Sequence, residues 1–285
     1  MNSLSGGQTS SYIASNFHAD ENVFALVRTS DPKCKFPDPK IRQIVSDKIG
    51  KEFVGTLEMD QIIYIMLDLE QHIGKKIDWV SGITFDEVIK RKNGTIYLPN
   101  KVQRICTTHL KLIPIFHWWY KNHYPNPVRM NIGFRANEQR RAKNMISKLN
   151  ANGLSEIKET VSKNKNGTNH WQTFEWQQPQ FPLIDINPTY KDQIVEYWKK
   201  HENVRFGNIY HNNCVGCFHR NPLFLNKMFN SKHQNKMDWF ADQEGEKKGF
   251  WKGPDQSYKK IKAHKMQSEL SFDDFNDCDS GYCGL

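Results

Sequence analysis

The chain has no long hydrophobic run. Its longest uncharged apolar stretch is Ile62 to Leu67, whereas a helix that crosses a bilayer needs about 20 such residues. No basic segment followed by an apolar one opens the sequence, so the expectation is a cytoplasmic protein with no membrane partner. Cysteine is scarce: six residues in 285 are too few for a disulfide-built scaffold. No segment repeats another. A content of 38% hydrophobic and 25% charged residues excludes a collagen-like or disordered chain. At this length the fold can bury about three quarters of the surface its unfolded form exposes. Acids are outnumbered, 31 against 40 Lys plus Arg, for a net charge of +9. That surplus favours anionic partners such as nucleotides, sulfate or phosphate esters, or a nucleic-acid backbone.

What is present reads as strands alternating with helices. Val23 to Val27 is an apolar run of strand type, and Pro39 to Lys48 carries Ile41, Ile44 and Val45 on one helical face. Pro39 suits a first helical turn. Met59 to Ile73 repeats the helical period, Val128 to Phe134 is a second strand, and Glu138 to Leu149 a basic helix. This alternation predicts an α/β fold with a mostly parallel sheet flanked by helices. Residues 151–170 are polar and read as an exposed insertion or long loop. Trp171 to Trp176 alternates as a strand would, and helical patterns return over Thr189 to His201, Pro222 to Phe229 and Lys236 to Phe240. The expected organisation is an α/β domain over 1–204 and a region rich in cysteine and lysine over 205–285.

Ser5-Gly6-Gly7-Gln8-Thr9-Ser10 runs straight into a segment, Ser11 to Ala14, able to continue as a helix. Backbone N–H groups at such a turn point outward with the helix dipole behind them, and small side chains let phosphate oxygens approach. It is not a Walker loop, because the Gly-Lys-Ser/Thr ending is missing. Four residues precede Ser5, few for a first strand. The segment resembles the Ser-Gly-Gly-x-x-Ser PP-loop of the ATP pyrophosphatase superfamily, in which many members carry Lys where this chain has Gln8.

Four further segments follow in the order seen in the phosphoadenosine phosphosulfate (PAPS) reductase branch of that superfamily. Arg104-Ile-Cys106-Thr-Thr-His-Leu-Lys111-Leu-Ile-Pro114 resembles its Cys-x-x-x-x-Lys-x-x-Pro segment, and Gly133-Phe-Arg135 its Gly-x-Arg strand end. Phe181-Pro182-Leu183-Ile184-Asp185 resembles its Pro-Leu-x-Asp segment, and Cys214-Val-Gly-Cys217 its Cys-x-x-Cys. PAPS-reductase-like phage and bacterial proteins and the sulfurtransferase of DNA phosphorothioation are similar in this respect. The resemblance implies a three-layer PP-loop fold with a nucleotide site at Ser5, Gly6, Gly7, Gln8, Thr9, Ser10, Gly133 and Arg135; Arg28 is set with these candidates. Lys111 and Arg135 are candidate catalytic cations, since guanidinium and ammonium groups both hold phosphate or sulfate. Arg140 and Arg141 read as solvating a helix. Asp185 is open to two roles, a Mg²⁺ ligand or a helix cap.

Cys214 and Cys217 can place two thiolates on one ion, with Gly216 permitting the turn. Cys106 is the third candidate, by the resemblance. The fourth is Cys283 or Cys278, in a tail whose Cys-Gly-Leu ending resembles the segment that carries the nucleophile of sulfonucleotide reductases, so Cys283 is either ligand or nucleophile. A thiolate-rich site points to a [4Fe-4S] cluster, with zinc as the alternative. Cys34 has no partner in sequence and reads as a lone surface or core thiol. His109, His211 and His219 lie near the cysteines and are not assigned as ligands.

Three functions are compatible with these readings. The first is a PP-loop enzyme that uses ATP, with Mg²⁺, to activate an acceptor for sulfur transfer; DNA or RNA is a possible acceptor and a sulfur donor is required. The second is a true sulfonucleotide (PAPS or adenylyl sulfate) reductase with Cys283 as nucleophile, recycled by a thioredoxin-like reductant. The third is a metal-stabilised nucleic-acid-binding protein, supported by the net charge, the lysines after Lys247, and Trp251 and Tyr258 read as exposed aromatics.

Overall fold

The computed structural model describes residues 1–90, 94–207 and 214–264. They form strands β1 (Asn2–Leu4), β2 (Asn22–Ala25), β3 (Ile77–Val80), β4 (Val128–Asn131), β5 (Ser155–Lys163) and β6 (Asn169–Gln180). The helices are α1 (Gln8–Asn16), α2 (Pro39–Ile49), α3 (Gln61–His72), α4 (Phe85–Ile89), α5 (Ile105–Thr107), α6 (Ile113–His123), α7 (Gln139–Ile146), α8 (Pro182–Asp185), α9 (Lys191–Lys199), α10 (Pro222–Phe229), α11 (Gln234–Asp242) and α12 (Tyr258–Ala263). The chain divides into two compact units whose segments alternate: 1–24, 66–80 and 113–204 in the first, 25–65, 81–112 and 205–285 in the second. The sequence boundary after Val204 is one of the crossings, and the second unit also draws on two earlier stretches.

The first unit holds a six-stranded sheet of order β3-β2-β1-β4-β6-β5. β1 is parallel to β2 and β4, and β4 to β6, while β5 runs antiparallel against β6. This is the helix-flanked, mostly parallel α/β architecture expected from the alternating pattern. Residues 2–4 do form a first strand, short but central. What holds so short a strand in register is a row of amides: Asn2 Nδ2 donates to Asn22 Oδ1 at 2.9 Å and Asn131 Nδ2 donates to Asn2 Oδ1 at 2.9 Å. A one-residue slip would break both bonds and turn Leu4 out of the core. Helix α1 packs on β1 and α9, and Trp198 Nε1 donates to the Gln8 carbonyl at 3.0 Å.

Residues 151–170 are not a long loop. They form most of a β5–β6 hairpin, turned at Asn164–Thr168 with Gly167 at φ +80°. The strands are polar because their outer part faces water, so no apolar alternation marks them; the legible signal was Asn166-Gly167 between two runs, a pair that tolerates the positive φ of a hairpin turn.

In the second unit, α2 starts where Asp38 accepts hydrogen bonds from Lys40 N and Ile41 N. Pro39 occupies the first turn, and Gly50 closes the helix at φ +62°. The core is built on rings: Phe85, Trp239, Phe240, Trp251 and Tyr258 meet at centroid separations of 5.1 to 6.5 Å. Trp251 and Tyr258 are therefore not exposed. They are 1% and 0% accessible: Lys247, Lys248, Lys259 and Lys260 are exposed while the rings fill the core.

Candidate functional site

In the first unit, three of the segments singled out in the sequence leave parallel strands at the same end of the sheet. Ser5–Ser10 follows β1, Gly133–Arg135 follows β4 and Phe181–Asp185 follows β6. The chain builds outward from β1 through β2 to β3 and returns to β4 on the other side of β1. The order thus reverses between β1 and β4, and in open α/β sheets ligands bind in the crevice at that reversal, beyond the carboxyl ends of the strands.

Gly6 takes a left-handed conformation, φ +77°. Gly7 caps α1 with no side-chain bond, so nothing on the cap competes for the first helical amides. Two serines brace the loop: Ser10 Oγ lies 3.1 Å from Ser5 Oγ, accepts from Ser5 N at 3.2 Å and donates to Gly7 O at 3.1 Å. Gly133 lies against this loop, since a Cβ there would stand 3.6 Å from Ser10 N and from Thr9 Cγ2. Phe134 stacks on Phe181 at 5.5 Å, joining the other two segments.

Arg135 is 8% accessible and its charge is balanced locally. Glu138 Oε2 accepts from Arg135 N at 2.9 Å and Nε at 3.2 Å, while Oε1 accepts from Arg141 Nη1 at 2.6 Å. Arg141 also covers the Phe134 ring at 4.1 Å, so of the two helix arginines only Arg140 is simply exposed. Glu138 positions both and had no role in the sequence reading, although its place three residues after Arg135 was the available signal. Asp185 is exposed at the end of α8, and the residue capping α9 is Tyr190; the capping role for Asp185 is excluded. Arg28 is not at this edge. It lies in the second unit, where Nε donates to Ser81 Oγ, Nη1 to Glu52 O and Nη2 to Gly82 O. Those bonds make it a brace between loops, and burial lowers its pKa.

The second unit contains a cavity with a water-accessible volume of ≈ 40 Å³, lined by Cys106, Cys214, Cys217, Lys111, Arg104, His219 and Glu58 against walls of Val27, Phe85, Leu110, Phe240 and Trp251. The three cysteines linked in the sequence thus share one cavity. Among the described residues, however, no group of three or more His, Cys, Asp or Glu side chains is gathered to hold a metal ion. Cys278, Cys283 and His211 lie outside the described residues.

The cysteine turn is pinned from several sides. Val215 N donates to Leu57 O at 3.0 Å, Lys252 Nζ donates to Phe218 O and Arg220 O, both at 2.7 Å, and Tyr258 Oη donates to Gly216 O at 2.9 Å. Gly216 is required for space rather than for a turn conformation: a Cβ there would lie 2.3 Å from Phe240 Cδ2. Burial, then the Cys217 and Cys214 thiols, push the Tyr258 phenol well above its usual range.

Lys111 lies in a π-type turn, Thr108–Leu112, between α5 and α6. Pro114 accounts for that turn, because it cannot donate to the carbonyl four residues back and its ring would clash there. Lys111 Nζ stands 2.9 Å from Glu58 Oε1, and the Glu58 side chain is 3% accessible. Glu58, a buried carboxylate beside three thiols, was missed; nothing in its local sequence distinguishes it from a surface glutamate. His219 lines the cavity and His109 is exposed. Cys34 is a core thiol, its Sγ 4.0 Å from Asn235 O, with burial raising its pKa to about 12. It is an inert residue at neutral pH.

No family model, curated protein or solved structure matches this chain.

Proposed function

We propose that the protein is an adenine-nucleotide-dependent enzyme of sulfur chemistry, of the PAPS-reductase-like PP-loop kind, which uses ATP to activate an acceptor for sulfur transfer. The observation that carries this reading is the convergence of Ser5–Ser10 and Gly133–Arg135 at the strand-order reversal between β1 and β4. The loop amides and the α1 dipole would receive the pyrophosphate portion of ATP, and Mg²⁺ would supply further positive charge there. Arg135, aligned by Glu138, would face the charge that builds on the α-phosphate. An acceptor oxygen would attack the α-phosphorus and release pyrophosphate, leaving an adenylylated acceptor; hydrosulfide from the sulfur donor would then displace AMP and remain on the acceptor as a thiol.

The cavity of the second unit suits the sulfur half of the chemistry. Arg104 lines it beside Cys106, Cys214 and Cys217, and Lys111 is paired there with Glu58. Three thiols sharing one cavity match in kind the set of about four that an iron–sulfur cluster or a structural zinc takes. Cys106, Cys214 and Cys217 would hold such a group with Cys283 or Cys278 as the fourth ligand, and a [4Fe-4S] cluster would supply electron or sulfur delivery.

The test is to incubate anaerobically prepared, full-length protein with ATP and, separately, with adenylyl sulfates. Pyrophosphate release without sulfite is expected. Sulfite without ATP consumption would transfer the assignment to a sulfonucleotide reductase acting through Cys283, and neither product would sink both. Ser10→Ala removes the loop brace and is expected to slow pyrophosphate release about five- to tenfold, the effect of one net hydrogen bond. Iron and sulfide analysis of the same preparation decides the cluster; metal-free protein with full activity overturns it.

A further inference from the structure

We propose that the β5–β6 hairpin is a binding surface for single-stranded nucleic acid, which would make a nucleic-acid strand the acceptor in the reading above.

Before Gln177, among the described residues, β6 has β5 as its one strand neighbour. This outer ribbon has two unlike faces. One carries Phe174, which packs on Phe116 of α6 at 5.2 Å. The opposite face carries Trp171, 53% accessible, paired across the ribbon with Thr160 and followed toward the base by the Lys158–Thr173 pair. A large ring held in water forgoes the burial that normally justifies it, and here its surroundings are cationic. Lys158, Lys163 and Lys165 are all exposed.

The acids of the hairpin are sorted away from this end. Glu156 and Glu175 sit at the base, where both accept from the Asn150 amide. Glu159 is buried and accepts from Thr160 N. From Thr160 to Phe174 the sequence contains no acid. The tip therefore presents positive charge and a flat ring. That combination suits an unpaired strand: phosphates meet lysines and a base stacks on the ring, with no requirement for a particular base. A duplex would offer charge to the lysines but no free base face to Trp171.

The test uses full-length protein, no nucleotide, and a fluorescein-labelled 20-nucleotide oligothymidylate read by anisotropy, with a 20-base-pair duplex alongside. Leaving ATP out separates this inference from the catalytic one, since pyrophosphate release is scored independently. Trp171→Ala is expected to weaken single-strand binding roughly tenfold while Trp171→Phe retains most of it. The double variant Lys163→Ala/Lys165→Ala should lower the slope of log affinity against log salt by about 1.4, near 0.7 for each phosphate that no longer meets a lysine. Thermal unfolding of each variant checks that the fold is intact. Unchanged affinity in Trp171→Ala, tighter binding of the duplex than of the single strand, or no oligonucleotide binding at low salt would each overturn the proposal.

Discussion

The two candidate sites are made of different material. The edge between β1 and β4 consists of backbone, small side chains and one tethered guanidinium, and its shape follows from strand order. The cavity of the second unit consists of side chains from distant segments, walled by rings, and its shape follows from packing. A site of the first kind tolerates changes in its neighbours' size but depends on charge balance and register. A site of the second kind depends on packing, and at Gly216 it has no room for a single added carbon.

That contrast can be challenged by substitution, beginning with the change expected to cost most. Glu138→Ala leaves Arg135 and Arg141 without their shared carboxylate in a buried setting, and should destabilise the first unit by about 3–5 kcal/mol in urea unfolding. A loss under 1 kcal/mol would mean that charge balance does not govern that edge. Gly216→Ala drives a methyl into the Phe240 ring and should cost about 2–3 kcal/mol, recovered in part by Phe240→Leu; failure of that rescue would show that the cavity is not limited by packing there. Asn2→Ala removes both cross-strand amide bonds and should cost about 1–2 kcal/mol, measured by the same unfolding.

The smallest effect is one of pH. Glu244 is buried, and desolvation raises its pKa above the ordinary 4.5 despite hydrogen bonds from Tyr258 N and Trp251 N. A carboxyl whose folded pKa is raised opposes folding when ionised, so its penalty is fully present above the raised value and disappears as pH falls toward 4.5. Wild-type protein should therefore gain stability relative to Glu244→Gln on acidification through that window, and a constant difference would contradict this account.

The same contrast explains what could be read from sequence. The sheet and its helices were legible because β2 is a buried apolar run and α2 announces itself with Asp38, Pro39 and Gly50. The loop at Ser5 was legible because it is contiguous. Arg28, by contrast, gave no sign that its guanidinium would bind Ser81 and two carbonyls, and Glu58 acquires meaning only when Lys111 and the cysteines come to it in three dimensions. Trp251 and Tyr258 were misread because composition marked their surroundings as lysine-rich, while burial is decided side chain by side chain. The hairpin at residues 155–180 was missed for the opposite reason: a ribbon solvated over much of its length needs no hydrophobic alternation, leaving only its turn to reveal it.

The alternation of segments between the two units bears on how the chain is made. During synthesis the sheet unit has all its parts once Val204 has been added, whereas residues 25–65 and 81–112 must wait for the stretch that begins at Arg205. Until then Phe85 lacks Trp239, Phe240 and Trp251, the rings that close over it. A growing or truncated chain ending near Val204 thus carries one finished unit and one bare apolar surface, the state in which a nascent polypeptide most needs a chaperone.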